Sequence, residues 1–233
     1  MKAVFKKELQ QLFHSMIGYT FLVAFSVISG YYFLTICLLP SRGDVRPYFS
    51  SVFSVLMLLI PIITMRSFAE ERKARTDQLL LSSPLKPREI VMGKFLAVFI
   101  FFLFSLVPCL FHIAMLCTKG VFEPSLVFCG LFGICISGAA FLAIGLLISS
   151  LTENQVVACI TTYCTLLLFW LIGYAANYTA SAALQRVLFA ISLASRFNSF
   201  SMGLLSFSGV AFFVSIAAAA ISLNTLVVTR MRD

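Results

Sequence analysis

The side chains with the greatest chemical potential are concentrated in one polar segment, residues 66–94. This segment contains seven of the 17 lysines and arginines and four of the nine acids, while the flanking segments run for long stretches without a charge. Charged side chains at this density need water or a charged partner around them. The segment therefore predicts an aqueous surface that another protein could contact.

Residue patterns for catalysis or metal binding are missing from the sequence. The two histidines, His14 and His112, do not occur in a metal-ligand pattern, and the sequence has no phosphate-binding loop and no Gly-x-Ser-x-Gly nucleophile elbow. The cysteines lack paired spacing and lie mostly in apolar runs, which is typical of buried thiols; they are Cys37, Cys109, Cys117, Cys129, Cys135, Cys159 and Cys164. We expect no catalytic site, no bound cofactor and no metal in this chain.

The composition is that of an integral membrane protein. Hydrophobic residues make up 61% of the 233 residues, charged residues 11%, and the mean hydropathy is +1.02. Backbone groups in lipid must be hydrogen-bonded within the chain, and long unalternating apolar runs achieve this as helices. We predict a single all-α transmembrane domain over residues 1–233, with six spans at 17–39, 48–65, 95–117, 125–151, 155–176 and 210–228.

Two further segments have the pattern of helices at a membrane surface. Residues 1–16 place apolar side chains at helical spacing opposite a cationic face, which predicts an interfacial amphipathic helix. The alternative is a frayed terminus that contributes only positive charge. Residues 177–209 are too polar to cross as one helix and too apolar for an ordinary loop, so we predict outer re-entrant or interfacial helices there.

The distribution of basic residues predicts the orientation. With six spans, both termini and segment 66–94 lie on one side of the membrane, which carries 12 of the 17 lysines and arginines, and the other side carries five. Basic residues are enriched on the cytoplasmic side of membrane proteins. We therefore expect both termini and segment 66–94 in the cytoplasm.

The predicted spans contain no Asp, Glu, Lys or Arg. A carrier coupled to an ion gradient needs a group that changes charge within the membrane. His112 is the one exception, and we interpret it as a side chain hydrogen-bonded by a neighbouring helix. Energy for any transport would then come from a partner chain.

Segment 66–94 also has the pattern of a docking element for such a partner. Ser67 followed by Glu70 matches a capping box, which predicts a helix over 67–81 that Pro84 ends. Pro87 and Glu89 suit the first turn of a second helix that leads into the third span. On charge alone, a solvated loop on the positive side of the membrane is the better explanation.

Four stretches of the sequence favour the docking element over the solvated loop. The stretches FAEERK at 68–73, LLLSSP at 79–84, EIVMGKF at 89–95 and RFNSFSMG at 196–203 resemble type-2 ATP-binding-cassette (ABC) exporter permeases. The greatest likeness is to the gliding-motility-associated permeases and their relatives in copper-enzyme maturation. The KKEL opening at 6–9 and the six predicted spans agree with it, so the likeness covers nearly the whole chain.

The resemblance implies a coupling helix at 68–81 that fits a groove on a separate ATPase subunit, which binds the ATP and magnesium. It assigns six residues to that contact: Phe68, Glu70, Glu71, Arg72, Leu79 and Leu80. It also implies an outer gate that includes Arg196, Phe197 and Phe200. The sequence departs from the family at Arg75, where members often have Gly, and at Gln78, where they often have Glu.

The resemblance predicts the permease subunit of an ABC transporter in the bacterial cytoplasmic (inner) membrane, without enzymatic activity of its own. The expected partners are an ABC ATPase, a second permease copy or a paralogue, membrane lipid and, further, an extracytoplasmic protein, but no nucleic acid. The expected activity is export of an amphipathic or lipid-linked substrate. Two alternatives stay open: a non-transporting anchor that couples an ATPase to an extracytoplasmic partner, and a secondary carrier or channel.

Overall fold

A computed structural model describes residues 1–39, 44–75, 85–117, 123–179 and 181–232 of the chain. These residues form α-helices and no β-strand. The helices are α1 Lys2–His14, α2 Met16–Tyr32, α3 Arg46–Thr64, α4 Ala69–Lys73, α5 Pro87–Ser105, α6 Val107–Cys117, α7 Pro124–Leu151, α8 Gln155–Asn177, α9 Ala182–Ile191, α10 Leu193–Ser201 and α11 Phe207–Arg232. Helix α2 continues into a π-helical segment, Phe33–Leu38.

Six helical segments in the described part of the chain are long and apolar enough to cross a membrane. They are Met16–Leu38, Arg46–Lys73, Pro87–Cys117, Pro124–Leu151, Gln155–Asn177 and Phe207–Arg232. The all-α architecture with six such helices is therefore confirmed. The segments predicted at the membrane surface are also helical, as α1 and as α9 with α10, and their placement there stays a prediction.

The helix that contains the third span begins where the sequence predicted. Pro87 occupies its first turn, where the missing N–H costs nothing, and the Glu89 carboxylate accepts a hydrogen bond from the Lys86 backbone N–H at 3.1 Å. The helix starts at Pro87, before the apolar run of the third span begins at Phe95. Lys94 therefore lies within this helix and packs in the protein interior. Its side chain is 0% exposed.

The ends of the long helices form two groups. At one, Ser149 of α7 donates to the Met65 carbonyl at 3.0 Å, and Arg232 of α11 donates to the Leu85 carbonyl at 2.9 Å. Helix α4 lies in this group, which we call the α4 end. Helices α9 and α10 lie in the other group, against Gly173 of α8, and we call it the α9–α10 end.

Helix α7 is at the centre of the bundle and contacts α3, α5, α8, α10 and α11. Its glycines lie against bulky side chains of neighbouring helices: Gly130 faces Phe49, Gly133 faces Phe200, Gly138 faces Phe102 and Gly145 faces Thr64. A Cβ at any of these positions would overlap the facing side chain. The small residues of α7 thus let neighbouring helices approach its backbone closely.

His112 is held by neighbouring helices, as interpreted from the sequence. Its Nδ1 lies 3.0 Å from the Tyr48 hydroxyl of α3, and its ring stacks on Phe33 with 4.6 Å between centroids. Phe33 is the first residue of the π-helical segment. A histidine held in this way is a structural link between α2, α3 and α6.

The glycine contacts of α7 generate a stability prediction. Gly138→Ala is expected to destabilise the protein by about 1–3 kcal/mol, because the added Cβ overlaps the fully buried ring of Phe102. The measurement is the thermal unfolding midpoint in detergent. Gly30→Ala is the matched control, because its Cβ would meet nothing closer than His112 Nε2 at 3.8 Å. Equal midpoints for the two variants would contradict the packing.

Candidate functional site

The α4 end contains a lysine with no access to solvent. Lys94 Nζ lies 2.6 Å from Glu8 Oε1, 2.6 Å from the Ser67 carbonyl oxygen and 2.8 Å from Glu71 Oε2. An ammonium group has three N–H donors, and these three oxygens accept all of them. The ammonium also lies 4.9 Å from the centre of the Phe68 ring.

Lys7 completes the group of charges, which we call the ion cluster: Lys7, Glu8, Glu71 and Lys94. Lys7 Nζ lies 2.8 Å from Glu71 Oε1, so the two oxygens of this carboxylate contact two different ammonium groups. Two positive and two negative charges sum to zero. Neutrality lets the protein bury Lys94 and Glu8 without leaving a charge uncompensated.

The environment of Lys7 also favours its charged form. Partial burial acts to lower the pKa of Lys7, but the hydrogen bond to Glu71 and the negative charges of Glu71 and Glu8 outweigh burial. The pKa of Lys7 is therefore raised above its ordinary value. Lys7 thus stays an ammonium group at neutral pH, and its ion pair with Glu71 persists.

The ion cluster joins three helices that are distant in sequence. Lys7 and Glu8 lie on α1, Glu71 lies on α4, and Lys94 lies on α5. Helix α1 packs along the same region of α5, where Gly93 leaves room for Val4. A displacement of α4 relative to α1 or α5 would therefore separate buried opposite charges, which is costly in a low dielectric.

A second set of contacts attaches the start of α4 to α7. The Ser149 hydroxyl accepts the backbone N–H groups of Phe68 and Ala69, both at 3.2 Å, and donates to the Met65 carbonyl. Further along, Arg72 donates to the Ser150 carbonyl at 2.8 Å. Helix α4 is thereby fixed to the body of the bundle on two sides.

The capping box predicted at Ser67 and Glu70 is wrong. The Ser67 hydroxyl has no hydrogen-bond partner among the described residues, and Phe68 is the N-cap of α4. The Glu70 N–H, which the Ser67 hydroxyl would accept in a capping box, binds the Arg66 carbonyl at 3.3 Å, and the N–H groups of Phe68 and Ala69 bind the Ser149 hydroxyl. The Glu70 carboxylate accepts two hydrogen bonds of 2.6 Å from Arg66, which in turn donates to the Ser15 hydroxyl.

The residues assigned to the ATPase contact occupy different positions in the fold. Phe68 is buried, and Glu71 is nearly buried in the ion cluster, with 12% of its side chain exposed. Glu70 and Arg72 are partly exposed, and both bind within the chain. Leu79 and Leu80 lie outside the described residues. The exposed surface of this element begins at Lys73.

Helix α4 stops at Lys73, and Arg75 follows with a φ of 55°. This is the left-handed region, which glycine adopts readily and other residues adopt at a cost of about 1 kcal/mol. The departure from the family at Arg75 therefore does not remove the break in the helix. Gln78, the second departure, lies outside the described residues.

The three residues assigned to the outer gate lie together at the α9–α10 end. The buried ring of Phe197 stacks on Phe53 of α3, with 4.2 Å between centroids, and Phe200 is buried next to Phe213 of α11. Arg196 donates to the Ala190 carbonyl at 3.1 Å and also to the Ser208 hydroxyl. These contacts fix α10 against α3, α7 and α11.

Three members of the ion cluster, Lys7, Glu8 and Lys94, were missed by sequence reasoning. The sequence pattern placed Lys7 on the cationic face of residues 1–16 and Lys94 at the end of the polar segment 66–94. One signal could have found the cluster: Glu8 is an isolated acid, because no other acid precedes Asp44. The described residues contain no group of three or more side chains that could hold a metal ion.

Most of the chain matches a known protein family. Residues 41–229 match a family described as ABC-2 family transporter protein, which covers most of the chain. No curated protein sequence matches the chain with significant similarity. The match includes α3 to α10, most of α11 and the two cluster residues Glu71 and Lys94, and it begins after α1 and α2.

Lys94→Met is expected to lower the free energy of unfolding by about 3–5 kcal/mol, because it leaves two carboxylates buried with one cation. The triple variant Lys94→Met, Glu8→Gln, Glu71→Gln should recover most of the loss, because it leaves no buried carboxylate and the remaining Lys7 side chain is 55% exposed. Unfolding in detergent, followed by circular dichroism, measures both. Lys6→Met, at an exposed position on α1, is the control. A triple variant less stable than the single one would contradict the electrostatic account.

Proposed function

The chain belongs to the ABC-2 family of transporter proteins, and we propose that this permease subunit is an exporter worked by a separate ABC ATPase. The observation that carries the proposal is the attachment of α4 to the bundle through the ion cluster and Ser149. A short element that is held rigidly on the membrane body can transmit a displacement to it. The energy comes from hydrolysis of ATP, which the partner subunit binds together with magnesium.

The coupling element of the proposal is segment 68–81. Its inward side chains, Phe68 and Glu71, hold it to the bundle, while the exposed residues 73–75, together with Leu79 and Leu80, contact the ATPase. Glu70 and Arg72 lie between these two surfaces and stabilise the element through their ion pairs within the chain. This division revises the role implied for Glu71 by the resemblance, because its carboxylate already contacts two ammonium groups of the same chain.

The proposed working unit contains two permease copies, or one copy and a paralogue, with two ATPase subunits. Closure of the ATPases on ATP draws the two coupling elements together, and the first, second and fifth long helices, α2, α3 and α8, rearrange to open an outward path. Large apolar side chains exposed on α2 and α8 support this assignment, because they can face lipid or another copy: Tyr19, Val23, Val27, Val156, Ile160 and Leu168.

We place the α4 end in the cytoplasm of a bacterial inner-membrane protein, with both termini on that side. The exposed basic residues of this end support the orientation; they are Lys2, Lys6, Lys73, Arg75, Lys86, Arg88, Arg230 and Arg232. The α9–α10 end then faces outward, and Arg196, Phe197 and Phe200 form part of the gate there. Export is the direction that fits a gate on the outer side.

The docking surface can be tested with paired leucine variants. Leu79→Ala with Leu80→Ala is expected to reduce ATPase stimulation and co-purification of the ATPase by about tenfold, because the fully buried core of an interface is mainly apolar and the two truncations remove apolar contact area from it. Leu204→Ala with Leu205→Ala is the matched control: two adjacent leucines, 63% and 55% exposed, next to α10. Unchanged stimulation in the first pair, or an equal loss in both, would refute the coupling assignment. Binding without substrate flux in the parent protein would favour an anchor over an exporter.

A further inference from the structure

A cleft of about 310 Å³ opens at the α9–α10 end, between α3, α8, α9 and α10. Its lining combines aromatic rings with hydroxyl and amide groups, and includes Ser50, Trp170, Tyr174, Ser195, Phe197 and Asn198. A volume of this order accommodates part of a small-molecule ligand. The gate residue Phe197 forms one wall, so the cleft lies beside the proposed outward path.

Three hydroxyl groups of the cleft are available to a ligand, whereas the Ser54 hydroxyl donates to the Ser50 carbonyl and the Asn198 Oδ1 accepts a hydrogen bond from the Ser201 hydroxyl. Within the part of the chain that the structure describes, the hydroxyls of Ser50, Tyr174 and Ser195 make no hydrogen bond. By contrast, the hydroxyl of Ser51, next to Ser50 but outside the cleft, binds the Pro47 carbonyl at 2.9 Å, as helix serines commonly do. The free hydroxyls provide donors and acceptors that a bound molecule can use.

The apolar part of the cleft is formed by rings. Trp170 and Tyr174 lie one helical turn apart on α8, with 4.6 Å between ring centroids and a tilt of 51°. On the other side, Phe197 stacks on Phe53 and closes the wall. Indole and phenol rings have large apolar faces and polar tips, so they suit a ligand that is itself part apolar and part hydroxylated.

No charged side chain is among the residues that line the cleft in the described structure. The nearest basic residue in sequence, Arg196, is engaged elsewhere, with the Ala190 carbonyl, the Ser208 hydroxyl and the face of Phe212. A charged ligand would lose hydration here without gaining a counter-charge, which is unfavourable. A neutral ligand pays no such penalty.

We propose that this cleft binds an uncharged amphiphile with a hydroxyl-bearing headgroup. The hydroxyls of Ser50, Tyr174 and Ser195 and the Asn198 amide recognise the headgroup, and Trp170 packs against its apolar face. The inference rests on the proposed function in one respect: it takes the ligand of the cleft to be the substrate of the exporter. Binding in the cleft itself does not require the ATPase.

The chain has a single tryptophan, Trp170, so its fluorescence reports on the cleft alone. The protein, reconstituted in phospholipid vesicles that contain no other protein, is titrated with octyl β-D-glucoside below its micellar concentration. Octyl β-D-glucuronide is the matched probe, because it differs only at C6 of the sugar, where a carboxylate replaces the hydroxymethyl group. We expect a saturable change in Trp170 emission with the glucoside and an affinity at least about tenfold weaker for the glucuronide.

Single variants show whether the response comes from the cleft. Ser195→Ala and Tyr174→Phe each remove one hydroxyl and are expected to weaken glucoside binding about fivefold. Ser51→Ala is the control and should bind as the parent does, because its hydroxyl lies outside the cleft. Two probes that bind equally, a response without saturation, or cleft variants that behave like Ser51→Ala would each overturn the proposal.

Failure of this proposal and failure of the proposed function give different results. If the glucoside binds but the ATPase neither co-purifies nor is stimulated, the exporter assignment fails and the cleft assignment stands. If ATPase coupling is intact and the glucoside does not bind, the substrate class is wrong and the coupling account stands.

Discussion

A buried ammonium group must have an oxygen for each of its N–H bonds, and this requirement organises the α4 end of the protein. Lys94 has no contact with water, so its three donors depend on Glu8, Glu71 and the Ser67 carbonyl. These acceptors come from two separate parts of the chain, helix α1 and the segment that contains α4, and Lys94 itself lies on α5. The positions of α1, α4 and the start of α5 are therefore mutually dependent. None of the three can move alone without leaving a buried charge unpaired.

This constraint explains how a five-residue helix can have a mechanical role. Helix α4 is too short to be stable on its own, because a helix of one or two turns does not repay its nucleation cost. Its helical conformation depends on its contacts with the rest of the chain: the ion cluster on one side, and Ser149 and Ser150 of α7 on the other. Helix α7 then runs to the α9–α10 end, where Gly133 contacts Phe200. A continuous packed path thus joins the two ends of the bundle.

The features of the fold that depend on local sequence could be predicted. The six long helices follow from apolar runs, and the start of α5 follows from Pro87 and Glu89. The ion cluster could not be predicted in this way, because Glu8 and Lys94 are 86 residues apart and only the packing of α1 on α5 brings them together. The Ser67 capping box was wrong partly for a related reason: the Glu70 N–H binds the Arg66 carbonyl, and the N–H of Ala69 binds the Ser149 hydroxyl, 80 residues away. Residues of the proposed gate were located by resemblance, and their stacking on Phe53 became visible only in the fold.

The central claim is that a partner ATPase contacts the exposed surface of the coupling element. Site-specific photo-crosslinking tests it most directly, with a photoreactive amino acid at Lys73, exposed on α4, and, in a second variant, at Arg186, exposed on α9. In membranes that contain the intact complex, the account predicts a crosslink to the ATPase from position 73 and none from position 186. A crosslink from position 186, or an intact complex that gives no crosslink from position 73, would contradict it.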